Sequence, residues 1–124
     1  QTCALPIWHG GKIINASGIL PYGTSEYCAY FTSKGAVEAM TKYMAHEFAG
    51  RDIQINAITL GFMNEGNRLQ SGDGQNDDLS VLKEIPAGRW GTWQDLDGLL
   101  LVLCSAAGNY INGACIPLDG GYSI

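Results

Sequence analysis

The chain has 124 residues, which suits one domain, and its 46% hydrophobic and 15% charged residues are typical of a globular protein with buried strands. The net charge of −5 is scattered along the sequence, which argues against nucleic acid as a partner because phosphate binding needs clustered Lys and Arg. The sequence contains no run of about 18 apolar residues, so no membrane span is predicted. No secretory signal pattern is present.

The first seven residues are interpreted separately from the rest. Residues 1–7 match an in-frame translation of a common sequencing-adaptor end, so we predict an artefactual leader and exclude it from the fold. A genuine loop is the alternative. Residues 8–124 are predicted to form one structural unit.

The predicted elements begin with a strand at Lys12–Ala16, an apolar run that follows two glycines and precedes the polar Ser17. Such a short run is typical of a central parallel strand. Pro21 and Gly23 then mark a loop over the site. A long helix is predicted near Tyr27–Ala49. Its apolar stripe at spacings of three and four consists of Val37, Met40, Met44 and Phe48.

In the second half of the chain, predicted strands and helices again follow one another. Ile53–Leu60 predicts another strand, and the Gly-rich segment 66–76 predicts a lid or binding loop before a short helix at Asp77–Glu84. A capping box of Thr92 and Asp95 predicts a helix that runs to about Ala106. The last strand is predicted at Ala114–Leu118, at a sheet edge because Pro117 cannot donate to a ladder.

The four cysteines have no C-x-x-C spacing and no histidine at metal-ligand spacing. They therefore predict free thiols and a cytoplasmic location rather than a metal site. His46 is isolated in a polar part of the long helix, so it is predicted to lie at the surface.

Tyr30 and Lys34 are four residues apart, so in a helix they project from one face. An ammonium group near a phenol favours the phenolate and lowers the phenol pKa from about 10 toward working pH. This makes Tyr30 a candidate general acid or base for carbonyl/alcohol chemistry. The hydroxyl of Ser17 could hold the substrate oxygen. The alternative for the isolated spacing is a surface lysine one turn from a half-buried tyrosine.

The order of strand, Ser17, helix, strand and terminal Asp119-Gly120-Gly121 resembles the C-terminal half of the short-chain dehydrogenase/reductase family. The match includes the spacing of thirteen residues from Ser17 to Tyr30. The resemblance implies an α/β fold for residues 8–124, namely the C-terminal half of a Rossmann-like doubly wound parallel sheet with about three strands. It also implies two long helices on opposite faces of that sheet.

The resemblance implies hydride transfer between NAD or NADP and a small-molecule carbonyl/alcohol pair. The catalytic residues would be Ser17, which orients the substrate oxygen, Tyr30, which exchanges the proton, and Lys34. Tyr27 is a weaker candidate because Phe31 stands where its lysine should be. The residues implied to bind the cofactor are Tyr30, Lys34, Gly61, Phe62 and Met63.

Two departures from the family are visible after the second strand. Leu60-Gly61 replaces the usual Pro-Gly, and Asn64-Glu65 occupies the region of a cofactor-binding Thr. A glutamate there would repel a diphosphate. The segments Ile85–Gly91 and Asp119–Tyr122 are similar to gluconate-type sugar-acid dehydrogenases of the family, which makes a sugar acid the predicted substrate.

The sequence also lacks the glycine-rich turn that would hold the adenine, ribose and diphosphate of the cofactor. The chain alone is therefore predicted not to bind a nicotinamide cofactor measurably, and its first strand is predicted to have an unpaired edge. One alternative is a truncated, inactive half-domain. Another is a non-enzymatic module that forms homo-oligomers through the helix at 27–49, a contact also expected in a full-length parent enzyme.

Overall fold

The computed structural model describes residues 3–4, 10–19, 27–64 and 77–124. The strands are β1 Cys3–Ala4, β2 Gly11–Gly18, β3 Ile53–Leu60 and β4 Cys115–Leu118. The helices are α1 Cys28–Phe48, α2 Asp77–Glu84 and α3 Gln94–Cys104, and single 3-10 turns follow α1 at Ala49–Arg51 and α3 at Ala106–Gly108.

The four strands form one sheet in the order β1-β2-β3-β4. β2, β3 and β4 are parallel, and β2 pairs with β3 from Gly11↔Ile53 to Gly18↔Leu60. The predicted α/β architecture with three parallel strands is confirmed. β4 lies at the edge, where its exposed Pro117 costs no ladder hydrogen bond.

The opposite edge of β2 differs from the prediction. β1 pairs antiparallel with β2, with Cys3 opposite Ile14 and Ala4 opposite Ile13. The prediction that this edge is unpaired is therefore wrong at these two positions, because residues excluded from the predicted fold supply a short partner strand. Whether residues 1–7 derive from an adaptor stays a prediction.

The core forms where α1 crosses β3. Residues 53–58 are all buried, as expected for a parallel strand that is covered on both faces. Ala45 from α1 packs with Ile53 and Ile55, and three partly buried residues complete the cluster, namely Ile13, Met44 and Phe48.

The buried face of α1 is rotated from the predicted stripe. Met40 is 45% exposed, whereas the polar Thr41 is fully buried. Thr41 Oγ1 donates to the Val37 carbonyl at 2.8 Å and accepts a hydrogen bond from Asn15 Nδ2 at 2.9 Å. A buried hydroxyl with both bonds satisfied carries little desolvation penalty, so the helix can turn this face to the sheet.

Two asparagines fasten the chain before β4 to the sheet. Asn56 Nδ2 donates to the Ile111 carbonyl, and Asn56 Oδ1 accepts from the Ala114 amide. Asn112 Oδ1 accepts from the Ile55 amide, and its Nδ2 donates to the Ala45 carbonyl. These side chains satisfy backbone groups where the ladder is interrupted.

α3 is shorter and more exposed than predicted. It ends at Cys104 instead of about Ala106, and Leu103 is buried while Leu101 is 71% exposed. Only half of the predicted capping box forms. Asp95 accepts from the Thr92 amide, but Thr92 Oγ1 donates to that carboxylate instead of capping the helix.

The two long helices lie on opposite sides of the sheet, as predicted. Asn15 of β2 contacts α1, whereas Lys12 Nζ donates to Asn109 just after the 3-10 turn that follows α3. Successive residues of a strand point to opposite faces of the sheet. Lys12 and Asn15 are an odd number of positions apart, so their side chains lie on opposite faces. Within the described ranges, no helix combines the length and apolar character needed to cross a bilayer.

Candidate active site

The carboxyl ends of β2 and β3 meet the first turn of α1 at a cavity of about 500 Å³. Parallel α/β sheets place their ligands at this end of the strands. The lining residues are Gly18, Ile19, Tyr27, Tyr30, Phe31, Leu60, Gly61 and Phe62. This space is the Tyr30 cavity.

Tyr30 lies in the first turn of α1 and is 49% exposed. Its ring packs edge-on against Phe31, with the ring centroids 5.5 Å apart. The phenol oxygen reaches the end of β2, where a Cβ placed on Gly18 would be 3.0 Å from it. The hydroxyl therefore borders both the cavity and the strand end.

Lys34 follows one turn later on the same side of α1. Its Nζ lies 5.5 Å from the centroid of the Tyr30 ring and donates to the Ala16 carbonyl of β2 at 3.1 Å. This hydrogen bond holds the charged group beside the phenol. The structure thus brings the predicted tyrosine and lysine together.

Ser17 lies beneath this pair, outside the cavity lining. It is only 2% exposed, and its Oγ is 3.1 Å from Glu38 Oε1 and 3.3 Å from the Lys34 carbonyl. Thr59 Oγ1 of β3 donates to the same Glu38 oxygen at 2.9 Å. The predicted role of Ser17 in orienting the substrate oxygen stays a prediction, with the hydroxyl placed on the helix side of β2.

The predicted cofactor contacts after β3 divide between two spaces. Gly61 and Phe62 line the Tyr30 cavity, whereas Met63 pairs with Gly91 and lines a neighbouring cavity of about 210 Å³. Gly61 packs closely on β4, because a Cβ there would lie 2.6 Å from Asp119 Cα. Only glycine allows this approach.

The Phe62 ring fixes the wall between the two cavities. It makes edge-on contacts with Trp90 and Tyr122, at centroid distances of 5.5 and 5.1 Å. The smaller cavity is bordered by the ion pair Arg89–Asp95, at 2.8 Å. Among the described residues, no cluster of histidine, cysteine or carboxylate side chains could hold a metal ion.

Tyr27, the weaker candidate, is 59% exposed and contacts Phe31 edge-on at 6.2 Å. Sequence reasoning missed Glu38, Thr59 and Gly18. The signal for Glu38 was its position one turn after Lys34, and the signal for Gly18 was its alternation with Ser17 along the strand. The predicted loop at 21–23, Glu65 and the segment 66–76 lie outside the described residues.

The family model described as enoyl-(acyl carrier protein) reductase matches residues 3–123. A 2-dehydro-3-deoxy-D-gluconate 5-dehydrogenase from Dickeya dadantii (strain 3937) is 43% identical over 115 residues, which are 92% of this chain and 46% of that protein. The enzyme of the same name from Bacillus subtilis (strain 168) is 41% identical over 90% of this chain and 44% of its own length. The chain thus spans about half the length of these curated relatives.

Solved structures agree with this match. A proposed 2-deoxy-d-gluconate 3-dehydrogenase from Agrobacterium tumefaciens, with bound NADP, superposes with a TM-score of 0.82 at 34% identity, covering 91% of this chain and 46% of the other. A proposed NAD(P)-dependent gluconate 5-dehydrogenase from Beutenbergia cavernae, with NADP at low occupancy, gives 0.79 at 32% identity, covering 92% and 46%.

Proposed function

Because this chain belongs to the short-chain dehydrogenase/reductase family, we propose that it supplies the proton-transfer half of an NAD(P)-dependent oxidoreductase acting on a carbonyl/alcohol pair. The observation that carries the proposal is the pairing of a half-exposed phenol with an anchored ammonium at the mouth of a cavity. Lys34 Nζ lies 5.5 Å from the centroid of the Tyr30 ring. The Tyr30 cavity lies at the strand ends where this fold class binds ligands.

The Tyr30 cavity has room for a nicotinamide ring and a small substrate. Its volume of about 500 Å³ lies within the usual range of ligand pockets, roughly 300–1,000 Å³. Gly18 and Gly61 leave its wall without side chains at two points. Tyr30, Lys34, Gly61 and Phe62 are the proposed cofactor contacts, together with Met63 from the neighbouring cavity.

The nicotinamide cofactor, when bound, supplies or accepts the hydride. In reduction, Tyr30 Oη donates its proton to the carbonyl oxygen as the carbonyl carbon gains the hydride. In oxidation, the phenolate takes the proton from the alcohol while the carbon loses the hydride. Lys34 is the proposed partner of Tyr30 in both directions, because its bond to the Ala16 carbonyl keeps Nζ beside the ring.

A sugar acid is the proposed substrate class. The relatives from Dickeya dadantii and Bacillus subtilis, both named as 2-dehydro-3-deoxy-D-gluconate 5-dehydrogenases, support this substrate class. The experiment below therefore uses a keto sugar acid as its first substrate and an uncharged ketone of similar size as its second.

A second candidate function is oligomerisation, which the outward face of α1 favours. This face carries a groove lined by Gly35, Glu38, Ala39, Lys42, Tyr43 and His46. Tyr43 is 79% exposed, a large ring that a partner helix could cover. We propose that the chain forms a homo-oligomer through the helix at 27–49. We also propose a cytoplasmic location, because thiols stay reduced there and the structure has free thiols at Cys28, Cys104 and Cys115.

The test is a chimera in which the unmatched part of the Dickeya dadantii relative precedes residue 10 of this chain. We expect the chimera to reduce the keto sugar acid with NADPH or NADH. Tyr30→Phe should lower kcat by about 100-fold or more, because it removes the general acid. Tyr110→Phe, at a fully exposed position outside the lining of the Tyr30 cavity, is the control and should keep kcat within about threefold. The measurement is the absorbance loss of the reduced cofactor.

Two results would contradict the proposal. Near-normal turnover by the Tyr30→Phe variant would exclude Tyr30 as the acid. A folded chimera that oxidises no cofactor with either substrate would favour the oligomerising module instead.

A further inference from the structure

Ser17 and Gly18, the last two residues of β2, face opposite sides of the sheet, because successive strand residues alternate in direction. The Ser17 side chain points toward α1, where the residue is 2% exposed. A Cβ on Gly18 would instead point at the Tyr30 phenol, 3.0 Å away. The spacing from Ser17 to Tyr30 gives only their separation in the sequence. It does not determine which face of the sheet the Ser17 side chain occupies.

We propose that Ser17 is a positioning residue, and that Gly18 is the β2 residue that borders the substrate oxygen beside Tyr30. This inference rests on the proposed function and deepens it. A serine that is buried and already bonded cannot also donate to a substrate without leaving Glu38. Gly18 lines the Tyr30 cavity, and Ser17 does not.

Glu38 explains what the Ser17 hydroxyl does. Glu38 Oε1 accepts hydrogen bonds from Ser17 Oγ of β2 at 3.1 Å and from Thr59 Oγ1 of β3 at 2.9 Å. One carboxylate on α1 thereby joins both strands. Hydrogen bonds to a charged acceptor are stronger than neutral ones, and Glu38 lies one turn after Lys34. The contact therefore sets the position of the first turns of α1, and with them Tyr30, against the sheet.

Gly18 leaves the substrate oxygen with few side-chain donors. Among the described residues that line the Tyr30 cavity, only Tyr27 and Tyr30 carry hydroxyl groups. Tyr30 is the one that reaches Gly18. The proposed site thus holds the reacting oxygen mainly through the group that also transfers the proton.

The first experiment uses the 124-residue chain and a thermal double-mutant cycle. Ser17→Ala should lower the melting midpoint by about 5 °C, because Glu38 loses a donor. Glu38→Gln should also lower it, and the double variant should fall no further than the larger single effect. If Ser17→Ala does not fold, Ser17→Thr, which keeps the hydroxyl, should restore folding. Additive effects, an unchanged midpoint, or a failure of Ser17→Thr to fold would overturn the positioning role.

The second experiment reads the environment of Tyr30 by NMR of protein labelled with 13C at the tyrosine Cζ, with Tyr30→Phe assigning the signal. Gly18→Ala should displace the Tyr30 signal because the new methyl group meets the phenol. The matched control is Gly35→Ala, whose Cβ would meet no atom within 4 Å, and it should leave the signal in place. An unmoved signal in Gly18→Ala would overturn the assignment of Gly18.

Both experiments are independent of turnover, so they succeed or fail separately from the proposed function. In the active chimera, Ser17→Ala and Glu38→Gln should lower kcat/KM by the same factor, and their effects should not add. A Ser17→Ala effect on kcat/KM that persists in full in the Glu38→Gln background would show that Ser17 acts on the substrate directly, and would overturn the proposal.

Discussion

Two carboxylates beside the smaller cavity, Asp95 and Asp119, hold irregular backbone in place. Hydrogen bonds from Arg89, then from the Thr92 amide and hydroxyl, hold the pKa of Asp95 far below its ordinary value. Burial alone would raise the pKa of Asp119, but hydrogen bonds from Ser123 and Gly121 outweigh it and lower that pKa. Each carboxylate binds groups that only its charged form satisfies well.

These shifts predict a loss of stability in acid. A carboxylate with a lowered folded-state pKa stabilises the fold above its unfolded pKa of about 3.9, and this contribution disappears as the pH falls below that value. We expect the urea midpoint to be flat from pH 7 to 5 and to fall below about pH 4. Asp95→Asn should lower the midpoint at pH 7 and flatten its acid dependence.

Glu47, an exposed carboxylate on α1, provides the control for this prediction. Glu47→Gln should leave the acid dependence of the midpoint unchanged, because the structure gives this side chain no comparable set of donors among the described residues. An acid dependence that is identical in Asp95→Asn and the parent chain would contradict the assignment.

At the level of elements, β3 and α2 were predicted with their observed bounds, because each is short and limited by clear turn or polar residues. α1 was predicted in extent but not in orientation. Met40 continues the apolar periodicity, yet the buried position is Thr41, which accepts a hydrogen bond from Asn15, a residue far away in the sequence. The same limit applies to Ser17, whose contact with Glu38 becomes visible only when β2 and α1 are packed together.

Asn56 provides a test of such long-range polar contacts. Asn56→Ala should lower the free energy of unfolding by about 3 kcal/mol, because it leaves the Ile111 carbonyl and the Ala114 amide without their partner. The matched control is Asn109→Ala, which removes an exposed contact with Lys12 and should cost less than about 0.5 kcal/mol. Equal losses in urea unfolding would contradict this account of Asn56.

At the level of the whole molecule, the chain covers 46% of the Dickeya dadantii relative, and the cofactor contacts proposed for it are those of the nicotinamide end. Affinity for a dinucleotide comes largely from its diphosphate and adenosine, which helix N-termini and glycine-rich turns bind. The sequence could predict the missing turn directly, since it is a local motif. It could not predict which residues of β1 would cover the edge of β2.

We therefore expect the 124-residue chain to show no saturable quenching of tryptophan fluorescence by NADH or NADPH up to about 100 µM. The chimera described above should show it, because the added part supplies the remaining contacts. Saturable quenching of the chain alone at micromolar concentration would contradict this expectation.

The close contact between Gly61 and Asp119 packs the carboxyl ends of β3 and β4 against each other. β2 and β3 are also paired as far as Gly18↔Leu60, and the glycines Gly18 and Gly61 at this end line the Tyr30 cavity. A ring bound in the Tyr30 cavity would therefore meet backbone rather than side chains at Gly18 and Gly61. A methyl group at Gly18 would meet the Tyr30 phenol only 3.0 Å away, so this glycine keeps the side of the phenol that faces β2 open to a ligand.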